Sequence, residues 1–211
     1  MHESEIINMS KLNIDEIISK ITNIEGFLWD DEAILLAQMV EKTYNLFNKD
    51  LTIVEVGSYC GRSTVAIGLA VKAICPRSAF YAIDPHEGQL FFVGETTPRQ
   101  PTWERFHANI AKNGLLETVD AFVMKSYEFQ TDEPIHLLFI DGLHDYKNVS
   151  RDFHHFENLV EPSGFVILHD YYIYPDVTRF VDEILTSTVY ERVDLVKSSI
   201  VLQKQESSKG K

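Results

Sequence analysis

Thr52–Ala73 reads TIVEVGSYCGRSTVAIGLAVKA. Thr52–Val56 is short and rich in β-branched residues, as a parallel strand covered on both faces should be. Gly57–Gly61 forms a turn whose terminal glycines let the backbone pass close to a ligand or adopt positive φ. A helix follows from about Arg62, and its first N–H groups point their partial positive charge back at the turn. Strand, glycine turn and helix start describe a nucleotide-type ligand site at the carboxyl edge of an open sheet. A strand–turn–helix with purely structural glycines is the competing reading of this segment alone.

The dinucleotide fingerprint G-x-G-x-x-G needs a middle glycine, and Tyr59 stands there. The phosphate loop G-x-x-x-x-G-K-[ST] fails too, with Arg62 for lysine and Val56 in place of the first glycine. What remains, Glu55-x-Gly57-x-x-x-Gly61, resembles the first motif of class I S-adenosylmethionine (SAM) methyltransferases. The resemblance implies that Glu55 helps hold the methionine amino end and that the turn passes under the ligand.

The rest of the chain suits such a site. Its 211 residues, 45% hydrophobic and 24% charged, are those of one globular domain with a full core. A net charge of −13 argues against gripping nucleic acid or an anionic membrane by electrostatics. Cys60 and Cys75 make neither a metal spacing nor a disulfide framework. With no signal-like start and no apolar run of spanning length, a cytoplasmic enzyme is expected.

Upstream of the glycine turn, Leu12–Ile21 reads as a short amphipathic helix. Asp30 or Asp31 then caps a longer one with Ala33, Leu36, Ala37, Val40, Tyr44 and Phe47 on one face. Trp29 is expected to pack, with a place over the substrate as the other reading, and residues 1–11 to be loose. Downstream, Ala79–Ile83 is a second strand ending in Asp84-Pro85. An acid at that position is where nucleoside-binding α/β folds hold ribose hydroxyls, since a carboxylate accepts from both at once. His86–Pro101 is long and carries Leu90-Phe91-Phe92-Val93, the look of a lid or substrate wall. Thr102–Lys112 is a helix stopped at Asn113-Gly114.

Strands follow at Val119–Val123 and Ile135–Ile140, then a helix over Tyr146–Leu159 on which His154 and His155 form a solvated face. Pro162-Ser163-Gly164 turns into a strand at Phe165–Leu168, followed by a helix at Pro175–Leu185. Tyr190–Val196 and Ser199–Leu202 make a terminal hairpin, and Gln203–Lys211 a polar tail. The alternation gives a Rossmann-like, doubly wound α/β fold: a mostly parallel seven-stranded sheet with an antiparallel strand near the C-terminus.

Ile140-Asp141-Gly142-x-His144-x-Tyr146, then Glu161-Pro162-x-Gly164 and His169-Asp170, resemble the class I branch that holds macrocin-type sugar O-methyltransferases and related small-molecule enzymes. The resemblance runs from roughly Gly26 to Leu202. It implies cofactor contacts at Glu55, Gly57, Ser58, Tyr59, Gly61, Ser63, Asp84, Ser126 and Asp141. It also implies a small hydroxylated acceptor of sugar, polyketide or phenolic type; the net charge argues against nucleic acid or membrane as partner, and a homodimer stays open.

The chemistry is legible in the residues themselves. Asp141 and Asp170 close two strands that should be neighbours, so both carboxylates face one crevice, an arrangement suited to Mg²⁺ or another divalent cation. His144, just past Asp141, has a pKa suited to taking an acceptor proton near neutrality. Tyr171 stands where metal-dependent relatives carry a further acid or amide, leaving Asp141 and Asp170 as ligands with His144 or His169 beside them. His169 as a core residue, or as one that stands behind the ligands, is the other reading. The competing functions are a nicotinamide-dependent oxidoreductase, a non-catalytic binder, and another reaction on the same scaffold; one relative is associated with cephalosporin hydroxylation.

Overall fold

A computed structural model describes residues 12–88 and 100–206. The expected lid at Leu90–Val93, the leading segment 1–11 and the end of the polar tail lie outside the described residues. The elements are α1 (Ile14–Ile21), α2 (Asp30–Phe47), β1 (Thr52–Val56), α3 (Arg62–Ile74), β2 (Ala79–Ile83), α4 (Trp103–Lys112) and β3 (Asp120–Phe122). They continue with β4 (Ile135–Ile140), α5 (Tyr146–Phe156), β5 (Val160–Leu168), α6 (Pro175–Leu185), β6 (Tyr190–Val196) and β7 (Ser199–Lys204).

The strands form one sheet in the order β3-β2-β1-β4-β5-β7-β6, with β7 antiparallel to both neighbours. The chain winds outward from β1 to β3, then returns to lay β4 against the other side of β1. That reversal opens a crevice beyond the carboxyl ends of β1 and β4, the usual ligand position in an open parallel sheet.

Pleat parity divides the core between the two faces. Ile53, Leu137, Phe139 and Ile167 point to the side covered by α1, α2, α3 and α4. Val54, Val56, Leu138, Ile140 and Val166 point to the side covered by α5 and α6. Both faces are apolar, so β1 and β4 are buried along their whole length. No helix among the described residues is long and apolar enough to cross a membrane.

Several boundaries differ from the sequence reading. Asn13 accepts from the Glu16 N–H, so α1 starts at Ile14. α2 starts at Asp30 with Trp29 as its N-cap, and the Trp29 N–H donates back to Glu32 Oε2 at 3.0 Å. Trp29 itself is 65% exposed and does not pack. β3 is trimmed to Asp120–Phe122 at the sheet edge, where Val123 is exposed.

α5 ends at Phe156, and the expected turn at Pro162-Ser163-Gly164 is a bulge inside β5. Ile135 pairs with Val160 and Leu137 with Phe165, and Ser163 takes a φ of 67° between them. β7 extends to Lys204, whose Nζ donates to the Glu157 and Val160 carbonyls. Of the two α5 histidines only His154 is exposed; His155 Nε2 meets the Phe129 carbonyl at 2.8 Å.

The tightest backbone constraint lies where β1 meets β4. Gly57 has a φ of 90°, and a Cβ built on it would lie 2.1 Å from the Asp141 carbonyl oxygen. Gly57→Ala is therefore expected to cost at least about 3 kcal/mol, from clash and left-handed strain together. Urea unfolding measures it; a loss below about 1 kcal/mol would mean the two strand ends separate freely.

Candidate active site

A cavity of about 560 Å³ follows the carboxyl edge of the sheet from the end of β3 to the end of β5. That volume suits a ligand of nucleoside size. Its near wall is the glycine turn. Ser58 is buried there, and its hydroxyl has no hydrogen-bond partner among the described residues. A buried orphan hydroxyl on a cavity wall fits a ligand carrying polar groups. Tyr59 takes a φ of 45°, and its hydroxyl donates to Glu25 at 2.6 Å. Arg62 donates to the carbonyls of Ile21 and Leu28 and pairs with Asp30 at 2.6 Å. This guanidinium fastens the α1–α2 connection over the turn, so Phe27 and Leu28 line the cavity.

Glu55 is not on that wall. It shares the pleat face of Ile53 and points under the start of α3, fully buried, with Ser63 and Thr64 donating to its two oxygens. Burial raises its pKa to about 8 against the opposing help of those hydroxyls, and the charges of Asp141 and Asp84 raise it further. Burial thus favours its protonated form, and in place of the expected grip on a ligand amino group its oxygens clasp the start of α3 and do not line the cavity. Ser63 reaches the cavity wall, but its hydroxyl is spent on Glu55.

Asp84 closes β2 and lines the cavity. The Tyr59 N–H donates to its Oδ2 at 2.8 Å and the His86 N–H to its Oδ1 at 2.6 Å. Each oxygen keeps a second lone pair for a ligand hydroxyl. Past β3, Ser126 donates to Asp152 Oδ1 at 2.5 Å, and the Arg151 guanidinium lies 4.3 Å from the centre of the Tyr127 ring.

At the opposite end, Asp141, His144 and Asp170 present ligand atoms within 4.8 Å of one another. His144 Nε2 lies 2.9 Å from Asp170 Oδ2 and 3.7 Å from Asp141 Oδ1, and its ring stacks on Tyr174 at 4.3 Å. That nitrogen is buried yet has no aligned hydrogen bond. Burial pulls the His144 pKa down, but the two carboxylates outweigh it and push the value up to about 9. The two carboxylates thus favour the imidazolium over the neutral ring.

His169 lies beneath them. Nδ1 sits 3.1 Å from Asp141 Oδ1 and 3.3 Å from Asp170 Oδ2, and Nε2 lies 3.0 Å from Glu32 Oε2. Burial opposes its charge, but three carboxylates prevail and raise its pKa far above the ordinary histidine value. Glu32 is fully buried; burial pushes its pKa up, but His169 overrides that and holds it at about 2. Ser198 and Ser199 donate to its other oxygen. With both ring nitrogens taken, His169 is a strut and not a candidate ligand. Tyr171 turns inward to Asp182 at 2.8 Å, so the position after Asp170 offers nothing to the crevice.

A sequence profile described as a methyltransferase domain matches residues 54–171, more than half of the chain. The chain belongs to this methyltransferase family. It is a class I SAM-dependent methyltransferase, which sets aside the nicotinamide alternative. The O-methyltransferase NovP shares the fold at a TM-score of 0.70 and 18% identity, with 84% of this chain and 81% of that one covered. An O-methyltransferase from Bacillus cereus in complex with S-adenosylhomocysteine (SAH) aligns at 0.65 and 14%, covering 92% and 90%. TomG from Streptomyces achromogenes, an O-methyltransferase of tomaymycin synthesis solved with SAM, aligns at 0.63 and 13%, covering 92% and 88%.

The sequence reading missed Glu32 and Asp152 in this methyltransferase. Glu32 lies upstream of the matched segment in the acidic run Asp30-Asp31-Glu32, which looks like an exposed helix start. Asp152 had a signal: Val149, Asp152, Phe153 and Phe156 share one helix face, and all four are buried.

The Glu55 assignment has a pH signature. Its raised pKa means that stability present below pH 4.5 is lost progressively up to about pH 8, as the unfolded carboxylate ionises and the folded one does not. Glu55→Gln should remove that decline and unfold in urea with a free energy higher by roughly 2 kcal/mol or more at pH 8. Its SAH affinity should stay within about threefold of wild type. A large loss of SAH affinity in the folded variant would return Glu55 to the ligand.

Proposed function

We propose that this methyltransferase transfers the methyl group of SAM to a hydroxyl oxygen of a small acceptor. The supporting observation is the cluster of Asp141, His144 and Asp170 at the β4–β5 end of the cavity, one strand beyond the glycine turn. Asp84, with a lone pair left on each oxygen, takes the ribose hydroxyls. Ser58 offers its hydroxyl to the amino-acid end. That placement directs the sulfonium methyl toward β4. The O-methyltransferase names of NovP and TomG agree with transfer to oxygen.

In the transfer the acceptor oxygen attacks the methyl carbon in line with the carbon–sulfur bond, which breaks as the carbon–oxygen bond forms. Neutral His144 takes the hydroxyl proton at Nε2, and Asp170 at 2.9 Å stabilises the imidazolium that results. Tyr174 holds the ring in place by stacking. Most of the protein's contribution is orientation and water exclusion.

A divalent cation such as Mg²⁺ fits the same donors. The His144 nitrogen is buried without an aligned partner, and two carboxylates flank it. Asp141, Asp170 and His144 would hold the cation, which when bound supplies a Lewis acid that lowers a hydroxyl pKa.

Isothermal calorimetry with SAH tests the cofactor half of the proposal. Asp84→Ala should weaken binding roughly a hundredfold through loss of two charge-assisted bonds. Equal affinity in the folded variant would remove Asp84 from the site. Turnover of methyl-labelled SAM against sugar, polyketide and phenolic hydroxyls tests the other half. In the presence of chelator the rate should rise with pH up to about 9, because only neutral His144 accepts the proton. His144→Ala should lower kcat by roughly 10²–10⁴-fold. A rate indifferent to pH and to this substitution would remove His144 from the chemistry.

A further inference from the structure

The strand order sets out the cavity as a line of chemically different places. Asp170 and Asp141 close β5 and β4, the glycine turn follows β1, Asp84 follows β2, and Ser126 follows β3. If the reacting groups sit over β4 and β5 and the ribose at Asp84, the base of the methyl donor must lie toward β3. The buried acid at that end is Asp152, brought there by α5 and not by any strand end.

Asp152 is almost wholly buried, yet it is on the cavity wall. The Ser126 hydroxyl donates to its Oδ1 at 2.5 Å, and the Arg151 guanidinium approaches the same atom at 3.3 Å. Oδ2 lies 3.0 Å from where a Cβ on Gly142 would stand, so the glycine leaves room beside that oxygen that a side chain would crowd. A buried carboxylate oxygen is costly without a donor. The neighbouring wall is flat, with Arg151 stacked on Tyr127, and Ile83 closes it from β2. The place takes a planar ring whose edge carries a hydrogen-bond donor.

We propose that Asp152 reads the purine of the methyl donor by accepting a hydrogen bond from the exocyclic amine of adenine. This inference rests on the methyltransferase reading of the cavity and adds a specificity-determining residue to it. The amine is the group that separates adenine from hypoxanthine, which presents a carbonyl oxygen instead. An acceptor-only carboxylate welcomes the first and repels the second. Ser126 acts through Asp152: its hydroxyl occupies Oδ1 and so turns Oδ2 to the ligand.

Calorimetry with SAH and with S-inosylhomocysteine, its deaminated analogue, tests the assignment on wild type and on Asp152→Asn. Wild type should prefer SAH by at least about tenfold, the loss expected when a buried acceptor faces another acceptor. In Asp152→Asn, the side-chain oxygen stays with the Ser126 and Arg151 donors, and the amide nitrogen faces the ligand. The preference should then vanish or reverse, because an N–H donor suits the hypoxanthine carbonyl. Wild type binding both ligands equally overturns the assignment whether or not the variant folds. A folded variant that keeps the wild-type ratio overturns it as well, with SAM use untouched. Wild type binding neither ligand overturns this inference and the methyltransferase reading together.

Discussion

One imidazole, His169, stands between three carboxylates that the fold gathers at the end of the crevice. Asp141 and Asp170 reach it from the ends of neighbouring strands, and Glu32 reaches it from α2 on the far side. Removing any partner of such a set leaves a buried charge uncompensated, at a cost of roughly 3–5 kcal/mol. The contact therefore does more than balance charge. It ties α2, the turn between β6 and β7 through Ser198, and the closing residues of β4 and β5 to one point. The crevice carboxylates face the cavity with fixed spacing because His169 holds them from behind.

A second constraint is steric. The backbone after β1 passes so close to the end of β4 that no side chain fits at Gly57. That approach puts the glycine turn beside Asp141, and hence the turn and the Asp141–His144–Asp170 cluster within one cavity. Arg62, the first residue of α3, then draws the α1–α2 connection over the turn with bonds to backbone carbonyls. The wall opposite the sheet is thus built from residues far upstream, held by a side chain of the same turn-and-helix unit.

Charge placement separates the two ends of the cavity. Toward β5, two histidines and two carboxylates face each other, and the groups differ in proton affinity according to how many opposite charges each one meets. Toward β3, Asp152 is supported by a hydroxyl and a guanidinium but by no histidine within bonding distance. The first arrangement suits proton movement, the second recognition. Both depend on burial, since neither set of groups would influence its neighbours as strongly in water.

The sequence by itself determined the α/β class, the run of strands and helices, and which acids close the strands. These follow from local rules: β-branched runs make buried strands, glycines mark the turn, and the residue after a parallel strand must sit at the sheet edge. Asp84, Asp141 and Asp170 were legible for that reason. Which face each side chain of β1 takes was not. Parity put Glu55 under α3, where its oxygens accept from Ser63 and Thr64 and do not line the cavity. The partnership of Glu32 with His169 spans most of the chain, and no spacing rule connects them. Trp29 was misread because the folded chain gives its ring nothing to pack against. Only the tertiary structure decided these points, because burial and pKa depend on what long-range packing brings near a group and not on its neighbours in sequence.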